Sequence, residues 1–285
     1  MRLLDQFGAC DCHSHVFGPF DRFPLSANRT FTPPETPIDA LEDIWRLLGL
    51  TRAVVVQGSA HGDDHRAMLA AIARSPHTRK GVAVLSDDVS DVTITDLHSR
   101  GVRAVRFNWV HHLLGSDSRS KEQRLSDTSG LLGRISPLAW HAEFHIDIAD
   151  LDLITKLCIP EGMPIVIDHM ARIDVSDANA HEQTDRLIRL LDEGPFWVKL
   201  SGADRLTVKC DDLRSAVTPM QAIIRAAPER CVWGLDWPHV NLKRMRTDVE
   251  LAELLLEVAG EETILEQLLI RNPAKLYGFD LDLAS

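Results

Sequence analysis

The sequence predicts an α/β fold, specifically a (β/α)8 barrel. Strand-like and helix-like segments alternate eight times along its 285 residues. Such alternation implies a parallel sheet with helices outside it, and eight units in this length match a closed barrel. The alternative, a doubly wound open sheet, usually carries a glycine-rich phosphate loop after an early strand, and neither GxGxxG nor GxxxxGK[ST] occurs. No repeat or linker divides the sequence, so we expect one domain over residues 1–285.

Two patterns define the elements. Continuous runs of β-branched residues, as in Arg52–Gln57, are typical of buried parallel strands. Apolar residues with helical spacing, as in Ile38–Leu50, predict the helices between them. The predicted strands are 8–16, 52–57, 81–86, 102–108, 142–148, 164–169, 196–201 and 231–236. The predicted helices are 38–50, 63–74, 94–100, 131–140, 151–157, 183–192, 213–226 and 246–257.

The segment 17–37, which follows the first strand, is too rich in proline for a helix or a central strand. Loops of this length inside compact domains usually have a binding or lid function. Arg22, Arg29 and Phe31 are therefore candidates for substrate contact, although a packed surface crossing explains the segment equally well.

Composition excludes several classes of protein. The five cysteines form no CxxC pair, which argues against a disulfide framework or a cysteine zinc site and favours reduced thiols in the cytoplasm. A formal net charge of −11 opposes nucleic-acid binding. No apolar run is long enough to span a bilayer, so we expect no membrane partner. The sequence gives no indication of oligomeric state.

The first strand contains His13 and His15, one residue apart. Because alternate side chains of a strand share a face, we expect Asp11, His13 and His15 to point the same way. An isolated H-x-H pair is as often an ordinary pair of histidines as a site.

Polar residues also follow other predicted strands. The carboxyl ends of barrel strands form the active site in enzymes of this fold, so these residues are candidates for one site. They are His13 and His15 on strand one, Ser59 after strand two, Arg106 on strand four, His145 on strand five, His169 and Arg172 at strand six, Arg205 after strand seven, and Asp236 and Asn241 at strand eight. Four imidazoles with one carboxylate suit a divalent ion such as Zn²⁺ or Mn²⁺.

This pattern resembles the amidohydrolase superfamily, an amidohydrolase-like TIM barrel. The segments DCHSHVFGP, RxFxPP, VVVQGSAHG, GVRAVRFN, PIVIDHMAR, KLSG and GLDWPH are similar to its lactonase branch, which includes the pyrone dicarboxylate hydrolases. The resemblance extends from Gly8 to Gly278.

The resemblance implies hydrolysis of a cyclic ester of an anionic substrate. Asp236 would be the general base, with His13, His15 and His169 as catalytic residues that polarise the carbonyl directly or through a metal. Arg106, Arg172 and Arg205 would hold substrate carboxylates, because a guanidinium binds them bidentately.

Ser59 and Asn241 would orient the ring of the substrate. If a metal binds, the resemblance offers His13, His15, His145, His169 and Asp236 as ligands. The cofactor is therefore either absent or a single zinc or manganese ion.

Three positions depart from the pyrone hydrolases. His145 replaces a tyrosine, which makes a metal more plausible and otherwise leaves this residue for substrate binding. His112 aligns with an arginine and Phe31 with a tyrosine. A sugar-acid lactone hydrolase, a lactone isomerase, a metal-dependent sulfomuconolactone-type hydrolase, a decarboxylase and a non-catalytic barrel remain alternatives.

Overall fold

The computed structural model describes residues 3–4, 8–111, 119–242 and 245–281. It confirms the predicted barrel, because eight parallel strands pair in chain order. The strands are β1 (Cys10–Ser14), β2 (Arg52–Val56), β3 (Arg79–Ala83), β4 (Val102–Asn108), β5 (His141–His145), β6 (Ile165–Ile167), β7 (Phe196–Leu200) and β8 (Cys231–Trp233).

The barrel closes where the chain after β8 runs alongside β1. The backbone N–H of Asp236 donates to the carbonyl of His13 at 2.7 Å, and that of His15 donates to the carbonyl of Trp237 at 2.8 Å. Gly234 permits this approach, since a Cβ atom there would lie 2.5 Å from the backbone nitrogen of His13. Glycine in the GLDWPH segment thus lets the ends of β8 and β1 meet.

Helices pack around the sheet. They are α1 (Ile38–Leu48), α2 (Arg66–Ala73), α3 (Asp91–Ser99), α4 (Lys121–Ile135), α5 (Ala180–Glu193), α6 (Ala203–Leu206), α7 (Val217–Ala226), α8 (Asp248–Ala259), α9 (Glu262–Glu266) and α10 (Asn272–Tyr277). The apolar face of α1 buries Leu41, Trp45 and Leu48. No helix in the described ranges is long and apolar enough to cross a membrane.

Several element boundaries differ from the predictions. The helix predicted at 131–140 is α4, which begins at Lys121 behind a Ser120 N-cap. The helix predicted at 151–157 is a 3-10 segment, Ile148–Lys156. The sequence analysis missed α6, α9 and α10. These helices are additional to the single helix that was expected after each strand.

The prediction that Asp11 shares a face with His13 and His15 is wrong. The pairing of β1 with β2 shifts register between Asp11 and Ser14, which breaks the two-residue alternation. The Asp11 carboxylate instead accepts hydrogen bonds from the Trp45 indole of α1 at 2.8 Å and from the backbone N–H of Leu235 at 3.0 Å. Asp11 therefore anchors helix α1 and the β8 end to the first strand.

Candidate active site

A cavity lies at the carboxyl ends of the strands. Its wall contains nine of the ten predicted site residues: His15, Ser59, Arg106, His145, His169, Arg172, Arg205, Asp236 and Asn241. The tenth, His13, lies against them and is fully buried. The cavity adjoins an outer cleft that shares Arg172, Arg205 and Asn241. The fold thus brings together residues drawn from seven different strand ends.

Asp236 lies at the centre of this group. Its Oδ2 accepts a hydrogen bond from Arg205 Nε at 2.5 Å. Its Oδ1 faces three imidazole Nε2 atoms, at 3.6 Å for His13, 3.5 Å for His15 and 4.0 Å for His169. These three gaps are too long for good direct hydrogen bonds and are of a size that one small polar atom can bridge.

Unusual backbone conformations place two of these side chains. Strand β8 ends at Trp233, so Asp236 lies beyond it with φ = 63°. His169 begins a run of four non-glycine residues with φ between 51° and 55°, which ends at Arg172. Left-handed φ values cost L-residues energy, and such strain is concentrated at functional sites.

Hydrogen-bond partners assign a tautomer to each imidazole beside Asp236. Nδ1 of His15 lies 2.9 Å from the Val56 carbonyl and must donate to it, so Nε2 of His15 has a free lone pair. Nδ1 of His13 lies 3.1 Å from the Lys199 ammonium, which can only donate. The hydrogen of neutral His13 is therefore on Nε2.

His169 has the same tautomer as His15. Its Nε2 lies 3.4 Å from Arg106 Nη2, a donor, and its Nδ1 lies 2.8 Å from Ser201 Oγ. Gly202 makes room for this contact, because its φ is 64° and a Cβ atom there would lie 3.0 Å from His169 Nδ1.

Burial and nearby cations keep these histidines neutral. Burial, reinforced by Lys199, holds the pKa of His13 well below its usual value. Burial also lowers the pKa of His145 well below its usual value, with Arg106 adding to the effect. For His169, burial lowers the pKa to about 4 although Asp236 opposes it. At neutral pH these rings act through hydrogen bonds rather than through charge.

The carboxyl group of Asp236 is ionised. Burial alone would raise its pKa, but the Arg205 guanidinium outweighs burial and holds the pKa well below its usual value. Asp236 is therefore always available to accept a proton near neutral pH, although such a low pKa makes it a weak base.

Three guanidinium groups reach the cavity. Arg106 donates to Asp168 Oδ2 at 2.7 Å and to Asn108 Oδ1 at 2.9 Å, and it is buried. Arg172 lies 2.7 Å from Asp147 and is partly exposed. Together with Arg205 they place three guanidinium groups at the cavity, each of which is paired with a carboxylate.

The residue types in this site suit a divalent ion, but their hydrogen bonds do not. The potential metal-ligand atoms of His13, His169 and Asp236 lie within 4.8 Å of one another. A ligand imidazole must present a lone pair to the ion. For His13 Nε2 to do so, Nδ1 would carry a hydrogen that faces the Lys199 ammonium, and the lone pair of His169 Nε2 already faces Arg106.

His145 is the least engaged histidine of the predicted set. Its ring is 5.0 Å from that of His169, and neither ring nitrogen has a hydrogen-bond partner within the described residues. It is therefore free to contact a bound molecule in the cavity.

The structure places the candidate residues of the loop after strand one in different surroundings. Phe31 lines the cavity, but Arg22 and Arg29 are exposed and are not among its lining residues. Arg29 instead donates to Thr32 and to the Ser26 carbonyl within its own loop. His112 lies outside the described residues.

The sequence analysis did not identify two carboxylates beneath the site, Glu143 and Asp168, which lie on either side of the Lys199 ammonium. Glu143 is an acidic residue in the middle of a buried strand. Asp168 directly precedes His169. Both carboxylates are visible in the sequence, but neither was chosen as a candidate among the residues at the strand ends.

A family model described as amidohydrolase matches residues 10–279. The chain belongs to the amidohydrolase family. The match includes every strand of the barrel and all ten candidate residues.

Curated relatives of this amidohydrolase act on lactones. The chain is 34% identical to a 2-pyrone-4,6-dicarboxylate hydrolase of Comamonas testosteroni, over 95% of this chain and 90% of that protein. It is 29% identical to a 4-sulfomuconolactone hydrolase of Hydrogenophaga intermedia, over 98% of this chain and 91% of that protein. This amidohydrolase is therefore an enzyme of the class that hydrolyses ester bonds.

A solved structure from Pseudomonas putida, proposed to be a 2-pyrone-4,6-dicarboxylic acid hydrolase, has the same fold. It superimposes with a TM-score of 0.82 at 29% identity, over 97% of this amidohydrolase and 99% of that chain.

Proposed function

We propose that this amidohydrolase opens the ring of a lactone that carries carboxylate groups, of the 2-pyrone-4,6-dicarboxylate type. The observation that carries the proposal is the environment of Asp236. One carboxylate oxygen is fixed by Arg205, while the other faces three imidazoles across gaps of 3.5–4.0 Å. This arrangement leaves one oxygen free to take a proton from water beside a bound carbonyl.

In the proposed reaction, water attacks the lactone carbonyl carbon and its proton passes to Asp236 Oδ1. His15 offers its Nε2 lone pair to the second hydrogen of that water, because its Nδ1 is committed to the Val56 carbonyl. When the tetrahedral intermediate collapses, the bond between the carbonyl carbon and the ring oxygen breaks. The proton on Asp236 then moves to the departing oxygen.

The carbonyl must be strongly polarised, because Asp236 is a weak base. His13 presents an N–H at Nε2 on the same side as Asp236 Oδ1, where it can donate to the oxyanion. The tautomers of His15 and His169 make them acceptors at Nε2, so we assign the donor role to His13 and positioning roles to the other two.

The arginines supply the affinity for an anionic substrate. Arg172 and Arg205 line both the cavity and the outer cleft, so a carboxylate between them would hold the ring over Asp236. Ser59, Asn241 and His145 are the remaining polar groups on the cavity wall that we propose contact the substrate.

A cytoplasmic location is part of this proposal. It is supported by the five free cysteines, of which Cys10 and Cys12 remain thiols although their sulfur atoms lie 3.7 Å apart.

The test is a panel of lactones given to the purified protein: 2-pyrone-4,6-dicarboxylate, the same pyrone without carboxylates, a sulfomuconolactone and a sugar-acid lactone. We expect the dicarboxylate to gain the mass of one water, with the uncharged pyrone turned over far more slowly. A product of unchanged mass would identify a lactone isomerase, and loss of CO₂ would identify a decarboxylase. Preference for the uncharged ring would refute the role of the arginines.

A further inference from the structure

Lys199 lies directly beneath the site, with its side chain fully buried. Its ammonium nitrogen is 2.5 Å from Glu143 Oε2, 3.1 Å from Asp168 Oδ1 and 3.1 Å from His13 Nδ1. Each of these three partners has an atom that could bind a metal ion. The three atoms lie within 4.8 Å of one another, a spacing that could hold such an ion. The ammonium of Lys199 therefore occupies the position that a cation would take among them.

The charge on Lys199 is secured by its surroundings. Burial opposes the charge, but the carboxylates of Asp168 and Glu143 outweigh burial and raise the pKa of Lys199. Glu143 is held in turn by the Tyr277 hydroxyl, which donates to Oε1 at 2.8 Å. Arg106 holds the second oxygen of Asp168. Two buried cations thus face two buried anions.

We propose that Lys199 is a positioning residue that fixes His13 as a hydrogen-bond donor. An ammonium has only N–H groups, so His13 Nδ1 must accept and the ring hydrogen must lie on Nε2, which faces Asp236 Oδ1. The backbone carbonyl of Val56 imposes the opposite tautomer on His15. The two histidines of the H-x-H pair therefore perform different tasks, one donating and one accepting.

This tautomer also determines what His13 cannot do. A ring with its hydrogen on Nε2 has no lone pair there for a metal ion. The role of Lys199 in catalysis rests on the proposed lactone hydrolysis, but the tautomer of His13 does not, so the two can be tested separately.

The first experiment reads the tautomers directly from ¹⁵N–¹H long-range correlation spectra of the ¹⁵N-histidine-labelled protein at neutral pH, without substrate. The His13→Gln and His15→Gln variants assign the signals. We expect His13 to be protonated at Nε2 and His15 at Nδ1. Protonation of His13 at Nδ1, or on both nitrogens, would overturn the proposal.

The second experiment removes the ammonium. Lys199→Met leaves two carboxylates without their cation, so the double variant Lys199→Met/Glu143→Gln removes one charge of each sign and serves where the single variant does not fold. Lys80→Met is the matched control, because Lys80 is half-buried on β3 at the opposite end of the barrel. We expect the Nε2 proton signature of His13 to be lost in the Lys199 variants and retained in the control.

The same variants are assayed on the lactone that the wild-type protein hydrolyses. Loss of one preorganised donor to the oxyanion should lower kcat by about 100-fold with little change in KM. An unchanged kcat together with a displaced tautomer would overturn the catalytic role of Lys199. If the wild-type protein opens no lactone in the panel, the proposed function fails, and the spectra still decide whether Lys199 fixes the tautomer of His13.

Discussion

The two sides of the barrel interior differ in the kind of residue that fills them. Between Arg52 at the start of β2 and Arg106 at the cavity, both buried, the interior from β2 to β4 is filled by apolar side chains such as Val54, Val82 and Ala104. From β5 to β7 the interior also holds Glu143 and Lys199, both fully buried.

The apolar residues on the first side need only fill the space, because any well-packed apolar set of the same volume would stabilise the barrel. Burying an ion costs free energy unless the ion is paired. We therefore attribute the charged residues on the second side to the catalytic groups that they hold in position. The charged groups there contact His13 directly, and His169 through Arg106. The difference indicates that one side of the barrel supports the structure while the other orients the catalytic groups.

The largest expected effect lies at the centre of the charged side. Asp236→Asn removes the proton acceptor while keeping the shape of the side chain, so we expect kcat on the lactone to fall by about 1000-fold. Steady-state kinetics provide the measurement. Asp43→Asn on the outer face of α1, where the carboxylate also pairs with an arginine, should leave kcat unchanged. Comparable activity in Asp236→Asn would remove the basis of the proposed mechanism.

His239 extends the charged region to the rim, between Asp248 at 3.0 Å and Asp204 at 3.5 Å. Burial opposes its charge, but the two carboxylates outweigh burial and raise its pKa to about 9. Because the folded state holds this proton more tightly than the unfolded chain, whose histidine pKa is about 6.5, the stabilisation is complete below pH 6.5. It is lost as pH rises through 9.

We therefore expect His239→Gln to abolish most of the fall in stability between about pH 6.5 and pH 9, a difference of about 3 kcal/mol. Thermal unfolding at a series of pH values measures it. His181→Gln, at a histidine whose side chain is 89% exposed, is the control and should follow the wild-type curve. A curve for His239→Gln that parallels the wild type would show that the two carboxylates do not hold a charged ring.

On the apolar side, Val54→Ala should affect stability without affecting chemistry. Val54 is fully buried, so removing two methyl groups should lower the free energy of unfolding by about 2 kcal/mol. Urea unfolding measures this loss, and kcat should stay within about twofold of wild type. A large fall in kcat with intact stability would contradict the conclusion that the apolar side of the barrel supports only the structure.

The smallest effect is expected at the mouth of the cavity. Arg172→Lys keeps the charge but loses the planar guanidinium, so KM for a carboxylated lactone should rise about tenfold with little change in kcat. The matched substitution Arg22→Lys changes an exposed arginine that is not among the cavity-lining residues, and KM should not respond. Equal responses of the two variants would show that Arg172 does not bind the substrate.

The histidines and Asp236 could be located from the sequence because a barrel brings strand ends together regardless of loop detail. Their hydrogen-bonding roles could not. The tautomer of His13 depends on Lys199, which is 186 residues away, and that of His15 on Val56, 41 residues away. Asp11 was misplaced for a related reason, because a bulge in β1 is a property of how two strands pair and not of one strand alone.

The sequence by itself determined the eightfold alternation, the order of the strands and the residue types at their ends, since periodicity and composition are local properties of the chain. Tertiary structure decided which nitrogen of each histidine carries a hydrogen and which arginine holds Asp236. It also decided that Lys199 takes the place of a cation among Glu143, Asp168 and His13. These features depend on distances of a few tenths of an ångström between groups that are remote in the sequence, and only the closed barrel sets those distances.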